Sequence, residues 1–123
     1  TDMVVNIGKL SLNECMTEYE NCDVVFMPTL MEVFSATYLE AMAMKVPIVT
    51  SDLEFARDNC GNAAVFFKMD DVSLAADAIE NVLGNEKLYF QLIKRGEEQL
   101  QHYPTLDEKF TNLFDWFEDI INK

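Results

Sequence analysis

Two glutamates, Glu32 and Glu40, lie on either side of a predicted helix start. The segment from Pro28 to Ser35 leaves a predicted strand and enters a helix rich in Ala, Met, Leu and Glu. The first N–H groups of a helix have no partner within it and lie at the positive end of its dipole, so they suit a phosphate or a carboxylate. Carboxylates accept hydrogen bonds from hydroxyl groups. The pattern therefore predicts a site for a ligand with an anionic group and hydroxyls.

The other reactive side chains give weaker signals. The three cysteines are odd in number and form no C-x-x-C pair, which indicates reduced thiols in a cytosolic protein. His102 has no second histidine with which to bind a metal. Asp52 and Glu54 follow another predicted strand, where they either line a cleft or belong to a solvated loop. A single glutamate is also commonly just a solvated carboxylate, so Glu32 and Glu40 matter only together with their neighbours.

The charge balance excludes two classes of partner. The 123 residues include 9 basic and 22 acidic ones, a formal net charge of −13. A nucleic-acid groove needs clustered Lys and Arg, so we expect no nucleic acid partner, and an anionic membrane surface is disfavoured for the same reason. No apolar run approaches the roughly 18 residues of a membrane helix. Half of the residues are apolar, which is enough for the core of one domain.

Alternating strands and helices are predicted to position the two glutamates. Short apolar runs predict strands at residues 3–7, 24–27, 46–50 and 63–67. Capping residues and apolar spacing predict helices at residues 12–20, 35–44, 86–100 and after Pro104, and another that is capped by Asp70 or Asp71 and ends at Gly84. Ser11 and Glu14 have the spacing of a capping box for the first of these helices. The unbroken apolar run at 24–27 is typical of a strand buried on both faces, and residues 51–59 are predicted as a loop with one helical turn. This alternation predicts an α/β domain with a parallel sheet, whose ligands bind past the carboxyl ends of the strands.

The last predicted helix carries an apolar stripe. Apolar side chains recur every three or four residues over four turns, at Leu106, Phe110, Leu113, Phe114, Phe117, Ile120 and Ile121. Core packing is the favoured interpretation. A helix that faces a partner is the alternative, because the stripe is wide.

One part of the chain resembles a known family. Residues 22–29, 40–43 and 46–52, together with Glu32, are similar to the C-terminal, donor-binding domain of retaining glycosyltransferases with the GT-B fold. The nearest group is family 4, the group 1 glycosyl transferases, in which two glutamates are separated by seven residues, as Glu32 and Glu40 are here. The resemblance extends to about residue 100 and implies a Rossmann-like parallel sheet flanked by helices, followed here by a helical tail.

The resemblance also implies an activity. A parent enzyme of this kind moves a sugar from a nucleotide-diphosphate donor to a glycan or lipid acceptor with retention of configuration. It needs no metal or other cofactor and is cytoplasmic, and any peripheral membrane association is expected of the parent only. Residues 1–123 would form a single domain, the later part of the donor domain. The N-terminal acceptor domain would be absent, as would the arginine and lysine that neutralise the leaving diphosphate, so we expect this chain alone to be inactive.

Residue roles are implied by the resemblance position by position. Glu32 matches the first glutamate, which binds donor-sugar hydroxyls near the reacting centre and is the expected catalytic residue. Glu40 matches the second glutamate, which binds the ribose hydroxyls. Other positions match places where the protein lies close to the ligand: Phe34, Ser35 and Ala36 in the turn facing the sugar and diphosphate, Thr37 near the phosphates, and Gly8 after an earlier strand.

Three positions depart from the family pattern. Val33, Ser35 and Lys45 stand where the family often has glycine. The bulkier Val33 and Ser35 are expected either to narrow the approach to the sugar or to change the turn, and Lys45 is expected to occupy a left-handed helix cap at a cost in stability. The alternative function is a non-catalytic α/β binding or docking module, such as a degenerate transferase domain. A receiver-like module would need an acidic pair after its first strand, where this chain has Gly8 and Lys9.

Overall fold

Helices and strands alternate along most of the chain as predicted. The computed structural model describes residues 3–122. In this part of the chain the strands are β1 (Val25–Met27), β2 (Ile48–Ser51) and β3 (Ala64–Phe67). The helices are α1 (Leu12–Glu20), α2 (Ala36–Ala43), α3 (Glu54–Cys60), α4 (Val72–Gly84), α5 (Glu86–Leu100) and α6 (Leu106–Ile121), with α3 longer than the single predicted turn. No helix within residues 3–122 is long and apolar enough to cross a bilayer.

Short capping sequences define where the helices begin. Ser11 and Glu14 form the predicted capping box of α1, in which the Ser11 N–H donates to Glu14 Oε2 at 2.7 Å and the Glu14 N–H donates to Ser11 Oγ at 3.4 Å. Asp71 caps α4 by accepting a hydrogen bond from the Leu74 N–H at 3.1 Å. Because such caps satisfy N–H groups locally, these helix starts are specified by a few neighbouring residues.

The described sheet is parallel, and its strands follow the order of the chain. β2 lies between β1 and β3. Val25 pairs with Ile48, and Ile48 pairs with Ala64. Since all three strands run in the same direction, their carboxyl ends lie at one edge of the sheet. The connections into α2, α3 and α4 begin at this edge.

Two apolar clusters cover the two faces of the sheet. Successive residues of β2 point to opposite faces, so Ile48 and Val49 belong to different clusters. The cluster around Ile48 contains buried residues of α2 and α3: Tyr38, Ala41, Met42, Ala56 and Cys60. The cluster around Val49 contains buried residues of β3, α4 and α5: Phe67, Ala75, Ala78, Val82 and Leu92. The central strand is therefore enclosed by helices on both sides.

The prediction of a strand at residues 3–7 is wrong. Residues 4–10 belong to no helix or strand, and the side chains of Met3, Val4 and Val5 are 91, 80 and 77% exposed. An apolar run forms a strand only where a neighbouring strand accepts and donates its backbone hydrogen bonds. In the described sheet, β1 pairs only with β2, so residues 3–7 have no neighbour there.

The prediction that residues 24–27 are buried on both faces is also wrong. Phe26 of β1 is 40% exposed, and its ring stacks on that of Phe67 with centroids 5.4 Å apart. β1 is an edge strand of the described sheet, whereas all four residues of the central strand β2 are buried. An unbroken apolar run is compatible with both positions, so the pattern alone does not separate them.

The apolar stripe of α6 lies on the surface, so the prediction of core packing is wrong. Every residue of α6 is exposed, including Phe114 at 64% and Trp116 at 57%. The helix is specified locally by a capping box of Thr105 and Glu108. Amphipathic spacing predicts a helix, but it does not determine what covers the apolar side. The alternative, a partner-facing helix, stays a prediction.

α2 ends in a Schellman motif at Lys45. The Lys45 N–H donates to the Met42 carbonyl at 3.1 Å, and the Val46 N–H donates to the Ala41 carbonyl at 2.9 Å. The motif places Lys45 at φ 60°, which confirms the expected left-handed position. A side chain with a Cβ atom is disfavoured there by roughly 1–2 kcal/mol.

Replacing Lys45 by glycine is expected to stabilise the chain by about 0.5–1 kcal/mol. The gain is smaller than the full Cβ penalty because glycine adds freedom to the unfolded chain. Glycine also removes the exposed ion pair between Lys45 Nζ and Glu97 Oε1, 2.8 Å apart, and such pairs contribute little. Urea denaturation measures the change. Lys45→Ala keeps the Cβ atom and should not be stabilised, and a lower midpoint for Lys45→Gly would contradict the expectation.

Candidate functional site

Hydroxyl groups at the end of β2 fix the loop that follows β1. Thr50 Oγ1 donates to the Met27 carbonyl at 3.0 Å, and Ser51 Oγ donates to the Thr29 carbonyl at 2.7 Å. Both donors are fully buried. Thr29 Oγ1 is also buried, but it has no hydrogen-bond partner among residues 3–122. The start of the loop is therefore held at the carboxyl edge of the sheet.

Tyr38 attaches α2 to the same point of the sheet. Its side chain is 0% exposed, and its Oη lies 2.8 Å from Thr50 Oγ1. Because the Thr50 hydroxyl proton is used on the Met27 carbonyl, Tyr38 is the donor to Thr50. The resulting chain of hydrogen bonds is buried and each hydroxyl in it is paired. The loop between β1 and α2 is thus held at both ends.

The start of α2 has no side-chain cap. Ser35 is the N-cap residue and is buried, but its hydroxyl makes no capping hydrogen bond. A serine at this position normally accepts a hydrogen bond from an N–H two or three residues later. The Ser35 carbonyl accepts from the Tyr38 N–H at 3.3 Å, but the Ser35 hydroxyl satisfies none of the first N–H groups, and an anionic ligand can accept from those of Ala36 and Thr37. The adjoining residues are accessible, since Ala36 is exposed and Thr37 half-buried.

Glu40 faces a cavity between α1 and α2. The cavity has a volume of about 300 Å³. Its lining comes from both helices and the segments beside α1: Leu10, Cys15, Glu18, Tyr19, Cys22, Thr37 and Glu40. The Glu40 side chain accepts a hydrogen bond from Tyr19 Oη at 2.9 Å. Of the predicted site residues, this cavity brings together Thr37 and Glu40.

The other predicted site residues on the loop and helix start lie outside this cavity. Glu32 is half-buried in the loop. Phe34 is 53% exposed, and its ring lies edge-on to Tyr103 with centroids 6.4 Å apart. The structure therefore places the predicted residues in two neighbouring regions, the loop with the helix start and the α1–α2 cavity, which are joined by the first two turns of α2.

Gly8 lies in a turn, and the prediction that it follows a strand is wrong. Its φ of 74° is in the left-handed region that favours glycine. Its N–H donates to Asn6 Oδ1 at 2.9 Å, which closes a local turn. Leu10, two residues later, lines the cavity. The segment thus reaches the candidate site through a turn without a strand.

The side chains that α1 contributes are not among the predicted site residues. Cys15, Tyr19 and Cys22 recur at intervals of four and three residues, which places them on one side of α1 and the turn after it. This spacing was the available signal, but it is equally typical of a helix facing a core. Burial, and next the hydrogen bond to Glu40, raise the pKa of Tyr19 above its usual value, so its phenol remains a donor at neutral pH.

One of the two carboxylates after β2, Asp52, belongs to a surface ion pair. Asp52 accepts a hydrogen bond from Arg57 Nε, and the Arg57 guanidinium lies 4.5 Å from the centre of the Phe66 ring. The hydrogen bond from Arg57 lowers the pKa of Asp52. Glu54 is exposed in the first turn of α3. This arrangement favours the solvated-loop interpretation of Asp52 and Glu54.

The buried cysteine, Cys60, offers little reactivity. All three are free thiols, and burial raises the pKa of Cys60 to about 12, which keeps it protonated and inert at neutral pH. Within the described residues, no three His, Cys, Asp or Glu side chains come together as a possible metal-binding group. The candidate chemistry therefore rests on hydrogen-bonding groups of the loop, α2 and the cavity.

The fold is shared with a larger protein of known structure. Sucrose-phosphate synthase from Thermosynechococcus elongatus superposes with a TM-score of 0.85 over 98% of this chain and 31% of that protein. The sequence identity is 20%, so this likeness shows the fold alone. It confirms the predicted Rossmann-like α/β fold with a parallel sheet flanked by helices.

Most of the chain matches a known protein family. Residues 1–99 match the model of the family described as glycosyl transferases group 1. This match spans well over half of the chain, and the chain belongs to that family. The resemblance found in residues 22–52 is therefore confirmed at the level of the group 1 glycosyl transferases.

Three curated relatives are each 28% identical to the chain. They are the O-antigen chain mannosyltransferase of Salmonella typhimurium, the capsular polysaccharide biosynthesis glycosyltransferase of Staphylococcus aureus, and the N,N'-diacetylbacillosaminyl-diphospho-undecaprenol alpha-1,3-N-acetylgalactosaminyltransferase of Campylobacter jejuni. The matches cover 66, 81 and 78% of this chain and 23, 25 and 27% of the relatives. The chain thus spans about a quarter of the length of these relatives.

Proposed function

We propose that this chain is the donor-binding part of a retaining, family 4 glycosyltransferase. The parent moves a sugar from a nucleotide-diphosphate donor to a glycan or lipid acceptor. Membership of the group 1 family supports sugar transfer. The names of the relatives include an O-antigen chain, a capsular polysaccharide and an undecaprenol-linked substrate, which supports a glycan or lipid acceptor.

The arrangement along α2 is the observation that carries the proposal. The uncapped start of the helix lies at the carboxyl edge of the sheet, where its N–H groups can bind a diphosphate. Glu40, one turn further along, faces a cavity of about 300 Å³, at the small end of ligand pockets. In this arrangement the diphosphate lies over Phe34, Ser35 and Ala36, and the ribose hydroxyls donate to Glu40.

Catalysis in this proposal is electrostatic. Glu32 accepts hydrogen bonds from the donor-sugar hydroxyls beside the reacting carbon. As the bond between that carbon and the diphosphate breaks, negative charge grows on the leaving phosphate, and the N–H groups at the start of α2 stabilise it. Thr37 lies close to the phosphates, and the backbone near Gly8 approaches the nucleotide. Each contact is local, and the diffuse repulsion of an anion by the net charge of −13 is screened by physiological salt beyond about 8 Å.

We further propose that residues 1–123 are one domain, the later part of a nucleotide-sugar-binding domain in a longer parent. The chain spans about a quarter of the relatives' length, which supports this division. The acceptor site and the cations that neutralise the diphosphate then come from the rest of the parent. The chain alone is expected to bind the donor weakly and to transfer no sugar.

An NMR titration of the backbone amides with UDP-, GDP- and ADP-sugars tests the proposed site. One nucleotide is expected to bind with a Kd on the order of 1 mM, because about −4 kcal/mol is what a partial site supplies. Shifts should cluster on residues 32–40 and on the cavity residues of α1. Glu40→Gln should weaken these shifts, whereas Glu80→Gln, an exposed change on α4, should not. No response to any nucleotide, in the chain and in the longer parent, would reject the proposal.

A non-catalytic docking module is the second candidate function. The observation that favours it is the exposed apolar stripe of α6. In this case replacing Glu32 or Glu40 leaves the parent's affinity for its docking partner unchanged. The titration with nucleotide sugars then shows no saturable shifts. The two candidates therefore differ in the response of residues 32–40 to nucleotide.

A further inference from the structure

We propose that Tyr19 is a positioning residue for Glu40, whose carboxylate it holds in the orientation that receives the ribose hydroxyls of the donor. This inference rests on the proposed function, because it assigns a supporting residue to the same site. The resemblance gives Glu40 a role but assigns none to Tyr19, which lies on another helix, α1.

A hydrogen bond between side chains joins the two helices at this point. Tyr19 Oη donates to Glu40 Oε2 at 2.9 Å. The Tyr19 ring is half-buried and packs against the cluster around Ile48, whereas Glu40 is exposed. A tyrosine has two side-chain torsions, which packing fixes here, while an exposed glutamate has three and samples several rotamers. The fixed side chain therefore orients the mobile one.

The direction of the bond leaves Glu40 able to bind a ligand. Tyr19 keeps its proton at neutral pH because burial, and next Glu40 itself, raise its pKa. The hydroxyl-to-carboxylate bond is therefore charge-assisted, which makes it stronger than a bond between neutral groups. A carboxylate offers about four lone-pair positions. Tyr19 occupies one of them, and the others can accept from a pair of neighbouring hydroxyls.

The Tyr19–Glu40 bond also divides two cavities. The larger one, of about 300 Å³, is the cavity that contains Thr37. A second one, of about 180 Å³, has a mostly apolar lining: Leu12, Cys15, Met16, Tyr19, Glu40, Ala43 and Met44. Tyr19 and Glu40 line both cavities. Without the Tyr19 hydroxyl, this contact no longer fixes the Glu40 carboxylate where the two cavities adjoin.

Tyr19→Phe is expected to weaken binding of the preferred nucleotide about 3- to 10-fold, the effect of losing one hydrogen bond. The probe is whichever of UDP, GDP and ADP gives the larger shifts, compared with its 2′-deoxy form. We expect the affinity for the deoxy form to change less, so the preference for ribose falls. A purely structural role would weaken both nucleotides equally. Tyr89→Phe, which changes a half-buried tyrosine on α5, is the matched control.

A double-variant cycle completes the test, in the chain or, if its affinity is too low, in the longer parent. Adding Tyr19→Phe to Glu40→Ala should cause no further loss of affinity, since the hydroxyl acts only through Glu40. An unchanged ribose preference in Tyr19→Phe, or full additivity with Glu40→Ala, would overturn the positioning role and leave the proposed function intact. If neither the unaltered chain nor the unaltered parent binds any nucleotide, the proposed function and this inference both fail.

Discussion

Replacing Tyr38 by alanine is expected to destabilise the chain by about 3–5 kcal/mol, as for other large aromatic residues removed from a core. Tyr38 is 0% exposed and lies in the cluster that joins α2 to the sheet. Alanine removes the ring and leaves a cavity next to Ile48. Since domains are stable by only about 5–15 kcal/mol, this loss takes a large part of the total. Chemical denaturation followed by circular dichroism measures the change.

Two further variants separate the ring from the hydroxyl. Tyr38→Phe keeps the ring and removes only the bond to Thr50, so it is expected to cost about 1 kcal/mol. Tyr89→Ala removes a half-buried ring from α5 and should cost clearly less than Tyr38→Ala. If Tyr38→Ala were no less stable than Tyr89→Ala, Tyr38 would not hold α2 on the sheet.

In the full-length parent, Glu32→Gln is expected to lower the rate of sugar transfer on the order of 10²–10³-fold. This is the size of effect seen when one preorganised electrostatic contact to a transition state is lost. Glutamine is close in shape, and Glu32 is half-buried in a loop whose start is held by other groups, so the thermal midpoint should hardly change. Steady-state kinetics with the preferred nucleotide sugar, together with a melting curve, measure both quantities.

The matched control is Glu80→Gln, which removes the same charge from an exposed position on α4. Its rate should remain within severalfold of that of the unaltered enzyme. Full activity in Glu32→Gln would show that Glu32 takes no part in catalysis. Full activity in both Glu32→Gln and Glu40→Gln would show that sugar transfer does not take place at this loop and helix.

The parts of the fold set by near neighbours were predictable from the sequence. The capping box of Ser11 and Glu14 appears where its spacing predicts it, and of the two candidate caps for α4, Asp70 and Asp71, the structure uses Asp71. The left-handed position of Lys45 was expected from the resemblance, because the family often has glycine there, and the Schellman motif at the end of α2 confirms it. β2 is buried as its apolar residues indicate.

The parts that depend on distant partners were not predictable from these patterns. The apolar run at residues 3–7 has the composition of a strand but no neighbouring strand in the described sheet. The stripe of α6 has the spacing of a core helix, yet every residue of α6 is exposed. The bond between Tyr19 and Glu40 joins two helices separated by β1, so no spacing along the chain could show it.

The order of the strands in the sheet has a consequence for how the chain folds. Each strand pairs with the next one along the chain, and each connection contains one helix, α2 or α3. The contact order is therefore low for a parallel sheet, and each pairing closes only a short loop, at a small entropic cost. A ribosome delivers the strands in the same order in which the sheet adds them. β1, β2 and β3 can thus assemble one after another during synthesis, and no strand has to wait for a partner made much later.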